Sequence, residues 1–291
     1  MHVRANNTCF YAELMLLFIV MIAQNGKSLE FFAKNPVFSH GDFLASLAAR
    51  GRTRSTANNL LALHLASGRL LRVRRGLYAV RPPGVDSAAA GADPYLVASK
   101  LQDDAIVAYH AALQFHGKAY SLWRKYHFLT KKRARPFTFQ GQDFVPVQAP
   151  VKLRTLPDFG GGVQKIRHAG GLARVTSLER TLVDVLDAPD KGGGWEELWR
   201  SLEMVEFFDL DAVLAYVRSL GSAIAAARVG LFLDQHREQL MVEEKRLSDF
   251  RALAPAQPRY FDPGRESGKL VSTWNLVVPE RVLNRNWEAK E

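Results

Sequence analysis

The chain has 291 residues, 47% hydrophobic and 23% charged, a composition typical of a globular protein with enough apolar material for more than one core. Its formal net charge of +10 at pH 7 suits a polyanionic partner such as nucleic acid or an anionic membrane surface. The single cysteine, Cys9, excludes an internal disulfide framework and any zinc site with two or more cysteines, in agreement with a reducing, cytoplasmic environment.

An apolar run of 14 residues, FYAELMLLFIVMIA, occupies positions 10–23. It contains Glu13 and is shorter than the ~20 residues that a membrane-spanning helix needs, so we expect no membrane span. Three interpretations stay open: a secretory signal with Arg4 in its charged region, a leader before a true translation start at Met15 or Met21, and a buried first helix. No small-residue cleavage site follows the run, which disfavours the signal.

The segment 24–82 predicts a winged helix-turn-helix, in which one helix enters a DNA groove and a β-hairpin wing flanks it. Residues 28–34 are expected to form the last part of a first helix. Ser39 is the expected N-cap of a second helix, and Gly51 ends it. A tight turn then leads to a third helix, for which Ser55 is the expected N-cap.

The third helix has one apolar and one polar face. The apolar face predicts a buried stripe, in which His64 is a core residue: Ala57, Leu60, Leu61, His64 and Leu65. The opposite face and the preceding turn carry candidate DNA contacts, because Arg binds guanine bidentately and Asn binds adenine. These candidates are Arg52, Arg54, Ser55, Thr56, Asn58 and Asn59.

Residues 69–80 alternate as the hairpin of the wing, with Gly76 at its turn. The expected inward positions are Leu71, Val73, Leu77 and either Ala79 or Val80. Three arginines on or near the turn are candidate phosphate contacts: Arg72, Arg74 and Arg75. From Ser28 to Pro82 there are nine basic and two acidic residues, so under a fifth of the chain carries a net charge of +7. Binding to a phosphate backbone predicts such a concentration.

Residues 83–92 are small and rich in Pro and Gly, which indicates a linker to a larger mixed α/β domain over 93–291. The overall fold class is therefore α+β. In the larger domain, Asp93-Pro94 opens a helix, and a second helix is expected from about Ala105 to Phe115. Four strands follow, at 126–130, 136–140, 143–147 and 163–168, then helices at 175–189, 194–208, 210–220 and 223–238.

The helix at 175–189 predicts a capping box, in which Thr176 caps and Glu179 reaches back. Arg180 and Asp184 form an i, i+4 pair worth a few tenths of a kcal/mol.

No metal, cofactor or catalytic site is predicted. His110 and His116 do not share a helix face and have no carboxylate at a ligand-like spacing, so we interpret them as structural. A nuclease-like enzyme is an alternative, for which Asp143, Asp158 and Lys165 are the available residues. Their spacing matches no motif.

A run of charge between two predicted strands is typical of a solvated loop, and the second interpretation is an additional DNA contact. Its members are Lys131, Lys132, Arg133 and Arg135.

The order of these segments resembles the AbiEi antitoxins of type IV toxin–antitoxin systems and their winged-helix relatives. The resemblance lies in VRRGLYAV of the wing, then AYHAALQFHG, RVTSLERTLVDVLD, RVGLFLDQ and the closing WNLVVP, and it spans most of residues 28–279. It implies a bacterial antitoxin and transcriptional autorepressor whose winged helix binds inverted repeats in its own promoter. The implied partners are double-stranded operator DNA and a nucleotidyltransferase-like toxin, which is countered without a stable complex. An orphan regulator without a toxin has the same pattern.

Overall fold

The computed structural model describes residues 28–81 and 91–287, so the apolar leader and most of the predicted linker lie outside the described residues. The described chain has the predicted α+β class. It divides into two compact units: the first contains the described residues up to Lys100 together with Arg167–Leu172, and the second contains Leu101–Ile166 and the described residues from Ala173 onward. None of the helices in these ranges combines the length and apolarity needed to cross a membrane.

Up to Lys100, the described residues of the first unit form four helices and three strands. In chain order they are α1 (described over 28–34), β1 (Val37–Ser39), α2 (His40–Ala48), α3 (Arg54–Ala66), β2 (Leu70–Arg74), β3 (Leu77–Val80) and α4 (Pro94–Lys100). The strands form one antiparallel sheet in the order β1-β3-β2. The rings of Phe32, Phe38 and Phe43 lie 5.4–5.8 Å apart, and together with Leu60 and Leu61 they fill the core of this unit.

The start of α2 agrees with the sequence prediction. The Ser39 hydroxyl accepts from the Asp42 amide at 3.0 Å, and the Asp42 carboxylate accepts from the Ser39 amide at 3.0 Å. This reciprocal capping box satisfies two amide groups that the helix leaves unpaired.

The start of α3 corrects the prediction that Ser55 is its N-cap. Thr53 has the extended backbone of a cap, and its hydroxyl accepts from the Thr56 amide at 3.2 Å. Ser55 therefore lies inside the first turn of the helix, where its side chain is exposed. Both residues can cap a helix, and the sequence alone did not separate them.

The hairpin corrects a second prediction, that Leu71 points inward. Leu70 and Val73 are the buried residues of β2, whereas Leu71 is only partly buried. Strict alternation would not turn residues three positions apart to one face, but a register shift between Arg72 and Arg74 breaks the alternation.

The predicted domain boundary and the compact units differ around α4. The sequence places this helix in the larger domain, while its contacts place it in the first unit. As the Asp93-Pro94 pair predicts, α4 begins at Pro94. Asp93 accepts from the Leu96 amide at 2.9 Å, and its other oxygen contacts His168 Nε2 at 2.8 Å. The Lys100 ammonium at the end of α4 lies 3.5 Å from Asp42. The domain boundary itself stays a prediction.

The second unit contains most of a six-stranded mixed sheet, of which only Arg167–Leu172 belongs to the first unit. Its strands are β4 (Ile106–Val107), β5 (Lys125–Thr130), β6 (Phe137–Phe139), β7 (Gln142–Gln148), β8 (Val163–His168) and β9 (Gly171–Thr176). They are arranged in the order β6-β7-β5-β4-β9-β8. The four strands predicted from sequence are present. The prediction missed β9, which pairs in parallel with β4 through Val175 and Val107.

A helix predicted from Ala105 is partly a strand. Ile106 and Val107 pair with Leu129 and Phe128 of β5, and α5 (His110–Phe115) begins only after Tyr109, whose φ of 58° breaks any helix.

Six helices and a small sheet complete the second unit. They are α6 (Leu178–Asp187), α7 (Trp195–Glu203), α8 (Leu210–Leu220), α9 (Ala223–Gln235), α10 (Glu244–Arg251), β10 (Arg259–Tyr260), β11 (Lys269–Val271), β12 (Leu276–Val278) and α11 (Glu280–Leu283). The predicted capping box of α6 is wrong: Ser177 is the N-cap, Thr176 ends β9, and Glu179 instead accepts from the Asp209 amide at 3.4 Å.

Candidate nucleic-acid interface

The exposed face of α3 is set by its buried face. Ala57, Leu60 and Leu61 are buried against the core of the first unit, as predicted, and His64 is completely buried one turn later. The helix therefore turns a polar strip to solvent. The exposed members of this strip are Ser55, Asn58, Asn59 and Ala62, and Thr56 is half-buried.

His64 belongs to the core, as predicted. Its ring meets the Phe32 ring edge-on at 4.9 Å, and its Nδ1 lies 3.4 Å from a guanidinium nitrogen of Arg69. Burial and then the charge of Arg69 lower the pKa of His64, so its neutral form is favoured. A neutral, fully buried imidazole is not a DNA contact.

The candidate arginines lie in the chain on either side of the main part of α3. Arg52 and Arg54 lie exposed in the turn before α3 and in its first turn, and Arg72, Arg74 and Arg75 lie exposed at the end of the wing hairpin. Gly76 adopts a φ of 80° at the hairpin turn, a conformation that glycine reaches without strain.

Both carboxylates of residues 28–81 are paired with cations other than the candidate arginines. Glu30 lies 3.6 Å from Arg50, and Asp42 caps α2 and contacts Lys100. Within residues 28–81 and 91–287, no carboxylate lies within 4.0 Å of four arginines: Arg52, Arg54, Arg72 and Arg75. These four arginines therefore form no ion pair with the residues that the structure describes, and guanidinium groups are well suited to bind phosphate.

Two of the predicted contacts already have partners. The Thr56 hydroxyl lies 3.0 Å from the Thr53 hydroxyl in the cap of α3. Asn58 Oδ1 lies 2.8 Å from His40 Nε2, at the start of α2. The sequence reasoning missed His40, because the two residues are 18 positions apart and no local pattern joins them.

The second basic segment lies in the other unit. Lys131, Lys132, Arg133 and Arg135 are exposed in the loop between β5 and β6, as the charge run predicts. Lys132 forms an ion pair with Asp103 at 3.0 Å, and a cavity of about 460 Å³ is lined by this loop together with Pro146 and Gln148. A DNA contact by this loop stays a prediction.

The residues considered for a nuclease have local partners. Asp143 accepts from the Thr138 hydroxyl at 2.7 Å, and Asp158 forms an ion pair with Arg174 at 2.7 Å. Lys165 is exposed on β8. Among the residues that the structure describes, no three His, Cys, Asp or Glu side chains are grouped to hold a metal ion.

His110 has a carboxylate partner that its sequence neighbourhood does not contain. Its Nε2 lies 2.9 Å from Glu197 Oε1, a partner 87 positions away on α7, and its ring stacks on Trp123 at 3.8 Å. Burial lowers the pKa of His110, and the bond to Glu197 opposes the shift. His116 lies 2.8 Å from the Thr176 carbonyl oxygen. Both contacts tie α5 to other elements.

The pair of Arg180 and Asp184 is buried, which the sequence reasoning did not anticipate. Arg180 Nε donates to Asp184 Oδ2 at 3.2 Å, and Tyr216 Oη donates to Asp184 Oδ1 at 2.7 Å. Arg180 Nη1 also donates to the carbonyl oxygens of Asp158 and Gly161. Burial raises the pKa of Asp184, while the charge of Arg180 and the Tyr216 hydrogen bond act in the opposite direction.

Other segments that carry the family resemblance have structural contacts of the same kind. Arg228 is buried, and it donates to the carbonyl oxygens of Phe261 and Leu186. Desolvation lowers the pKa of Arg228 to about 10. Trp274 Nε1 donates to Asp234 at 3.1 Å, and its ring packs where Gly230 lacks a side chain. These polar residues have a structural explanation in the core of the second unit.

The comparisons with known proteins are consistent with the fold and say nothing of function. No protein-family model matches the chain, and a comparison with curated proteins returns no match. Among solved structures, the chain is similar to the crystal structure of the RV2827C protein from Mycobacterium tuberculosis, with 18% identity and a TM-score of 0.53. The similarity covers 89% of this chain and 92% of that chain. At this identity it shows a shared α+β fold alone.

Proposed function

We propose that residues 28–81 form a winged helix-turn-helix that binds double-stranded DNA. In this proposal α2 and α3 are the helix-turn-helix, α3 is the helix that enters the major groove, and the hairpin of β2 and β3 is the wing. The order of three helices followed by a hairpin supports it, as does the antiparallel sheet β1-β3-β2 that joins the wing to the helices.

The observation that carries the proposal is the placement of uncompensated charge. Arg52 and Arg54 at the start of α3, and Arg72 and Arg75 on the wing, have no described carboxylate within ion-pair distance. The two places that would flank a groove are therefore cationic, whereas the strip between them is polar and small. Cations position a protein on the phosphate backbone, and polar side chains on a helix read base edges.

We further propose that the protein represses its own operon and acts as the antitoxin of a type IV toxin–antitoxin pair. The order of the segments that resemble AbiEi antitoxins supports this part. The proposal includes no catalytic step. An orphan regulator with the same DNA-binding module is the alternative, and a toxin test separates the two.

DNA binding is tested with two duplexes, one taken from directly upstream of the gene and one of the same composition in shuffled order. Fluorescence anisotropy of the labelled duplexes gives both affinities. Specific recognition predicts that the upstream duplex binds about a thousandfold more tightly or better, the usual difference between operator and non-specific DNA. Equal affinities for the two duplexes would contradict sequence-specific repression.

The antitoxin role is tested in cells. Expression of a neighbouring nucleotidyltransferase-like reading frame should arrest growth, and co-expression of this protein should restore it. Growth that stays arrested, or the lack of such a neighbour, would favour the orphan regulator.

A further inference from the structure

His40 connects three elements of the first unit. It is the first residue of α2, and its backbone amide donates to the Gly76 carbonyl oxygen in the wing turn at 2.8 Å. Its side chain reaches α3, where Nε2 lies 2.8 Å from Asn58 Oδ1. The adjacent capping box of Ser39 and Asp42 fixes the backbone from which this side chain extends.

The contact changes what Asn58 offers to a ligand. An asparagine amide has one acceptor oxygen and two donor hydrogens. Oδ1 of Asn58 accepts from His40, and its Nδ2 makes no hydrogen bond to any residue that the structure describes. Asn59 is equally exposed, and no described residue bonds either end of its amide. Two neighbouring asparagines therefore present different chemistry.

We propose that His40 is a positioning residue that makes Asn58 a hydrogen-bond donor to guanine. The inference rests on the proposed DNA binding by α3. In the major groove guanine presents two acceptors, N7 and O6, whereas adenine presents N7 beside an amino donor. An amide whose oxygen is engaged matches guanine better than adenine. An amide with both ends open, as in Asn59, matches adenine.

The contact also orders the side chain before binding. A solvent-exposed asparagine loses rotamer freedom when it contacts a base, and this loss weakens binding. Asn58 is already held by His40, whose own backbone is bound to the wing turn. His40 therefore links the backbone of the wing turn to the side-chain orientation of Asn58.

The test is selection from a library of random duplexes with the full-length protein and four variants: His40→Ala, His40→Gln, Asn58→Ala and Asn58→Asp. The base pair at which Asn58→Ala loses its preference identifies the position read by Asn58. At that position the wild-type protein should select guanine. His40→Ala should reduce the preference for guanine over adenine roughly five- to tenfold, the lower end of one base contact, and leave the other positions unchanged.

The other two variants separate positioning from folding. His40→Gln should retain the preference for guanine, because the glutamine amide nitrogen can donate in place of Nε2. Asn58→Asp keeps an oxygen for His40 but has no donor, so it should lose the preference even though His40 is unchanged. This second result does not depend on the stability of a His40 variant.

Two outcomes would overturn the inference, and they are distinguishable. If the wild-type protein selects a motif but His40→Ala keeps the same preference at the Asn58 position, or weakens every position equally, His40 does not position Asn58. If the wild-type protein selects no motif at all, the proposed sequence-specific binding fails, and the inference fails with it.

Discussion

The buried ion pair of Arg180 and Asp184 should contribute strongly to the stability of the second unit, and this can be measured by mutation. The side chain of Arg180 is 0% exposed and that of Asp184 is 5% exposed. Asp184→Asn keeps the size of the side chain but removes the negative charge, so the guanidinium remains buried without a counterion. Breaking a buried ion pair in this way lowers the free energy of unfolding by about 3–5 kcal/mol.

The chain offers a matched control. Arg200 and Glu196 have the same i, i+4 spacing and lie 3.0 Å apart, but their side chains are 39% and 46% exposed. Glu196→Gln should change the free energy of unfolding by less than ~0.5 kcal/mol. Tyr216→Phe removes one hydrogen bond from Asp184, with an expected cost of about 1–3 kcal/mol.

The assay is urea unfolding followed by tryptophan fluorescence. All five tryptophans lie in the second unit, so the signal reports that unit: Trp123, Trp195, Trp199, Trp274 and Trp287. If Asp184→Asn and Glu196→Gln destabilise the protein equally, the Arg180–Asp184 pair is not the buried, mutually dependent contact described above.

Three further predictions concern the cap, the wing turn and a buried histidine. Thr53→Ala should destabilise α3 by about 1 kcal/mol and speed hydrogen exchange of its amides several-fold, while Ser55→Ala should not, and the reverse result would restore Ser55 as the cap. Gly76→Ala should cost about 1–2 kcal/mol in the first unit because φ is 80° there, whereas Gly76→Asn should cost less; equal thermal stabilities by circular dichroism would refute this. His127 is buried, which lowers its pKa to about 4 from an unfolded value near 6.5. The unfolded chain therefore binds the additional proton between these pH values, and stability present above pH ~6.5 falls by about 3 kcal/mol as the pH drops toward 4. His127→Gln should flatten this part of the pH dependence of urea unfolding, and an unchanged slope would contradict it.

Local chemistry predicted much of the first unit. Ser39 is followed by an acidic residue at the correct position, and the spacing of Ala57, Leu60 and Leu61 defines one face of a helix. Each of these signals acts within a few residues. Thr53 and Ser55 compete for the same role at almost the same place, and only the surrounding backbone decides between them.

The missing elements depend on partners distant in sequence. Ile106–Val107 is apolar and short, and it becomes a strand because β5 and β9 lie on either side of it. A local period cannot distinguish such a run from a helix segment. The contact between His40 and Asn58 and the contact between His110 and Glu197 join residues 18 and 87 positions apart. Charge is visible in composition, so the sequence predicts the arginines, whereas no local pattern predicts the contact of His40 with Asn58.

The salt dependence of DNA affinity tests the central claim most directly. A variant with Arg72→Ala, Arg74→Ala and Arg75→Ala should bind all duplexes more weakly. The plot of the log of the association constant against the log of the salt concentration has a negative slope. If each arginine contacts one phosphate, at ~0.9 per contact, the slope of the variant should be less steep by about 2.7. The matched variant replaces three exposed cations of the second unit, Lys165, Arg218 and Lys245, and should keep the wild-type slope. A wing variant with an unchanged slope, or equal losses in both variants, would contradict DNA binding through the wing.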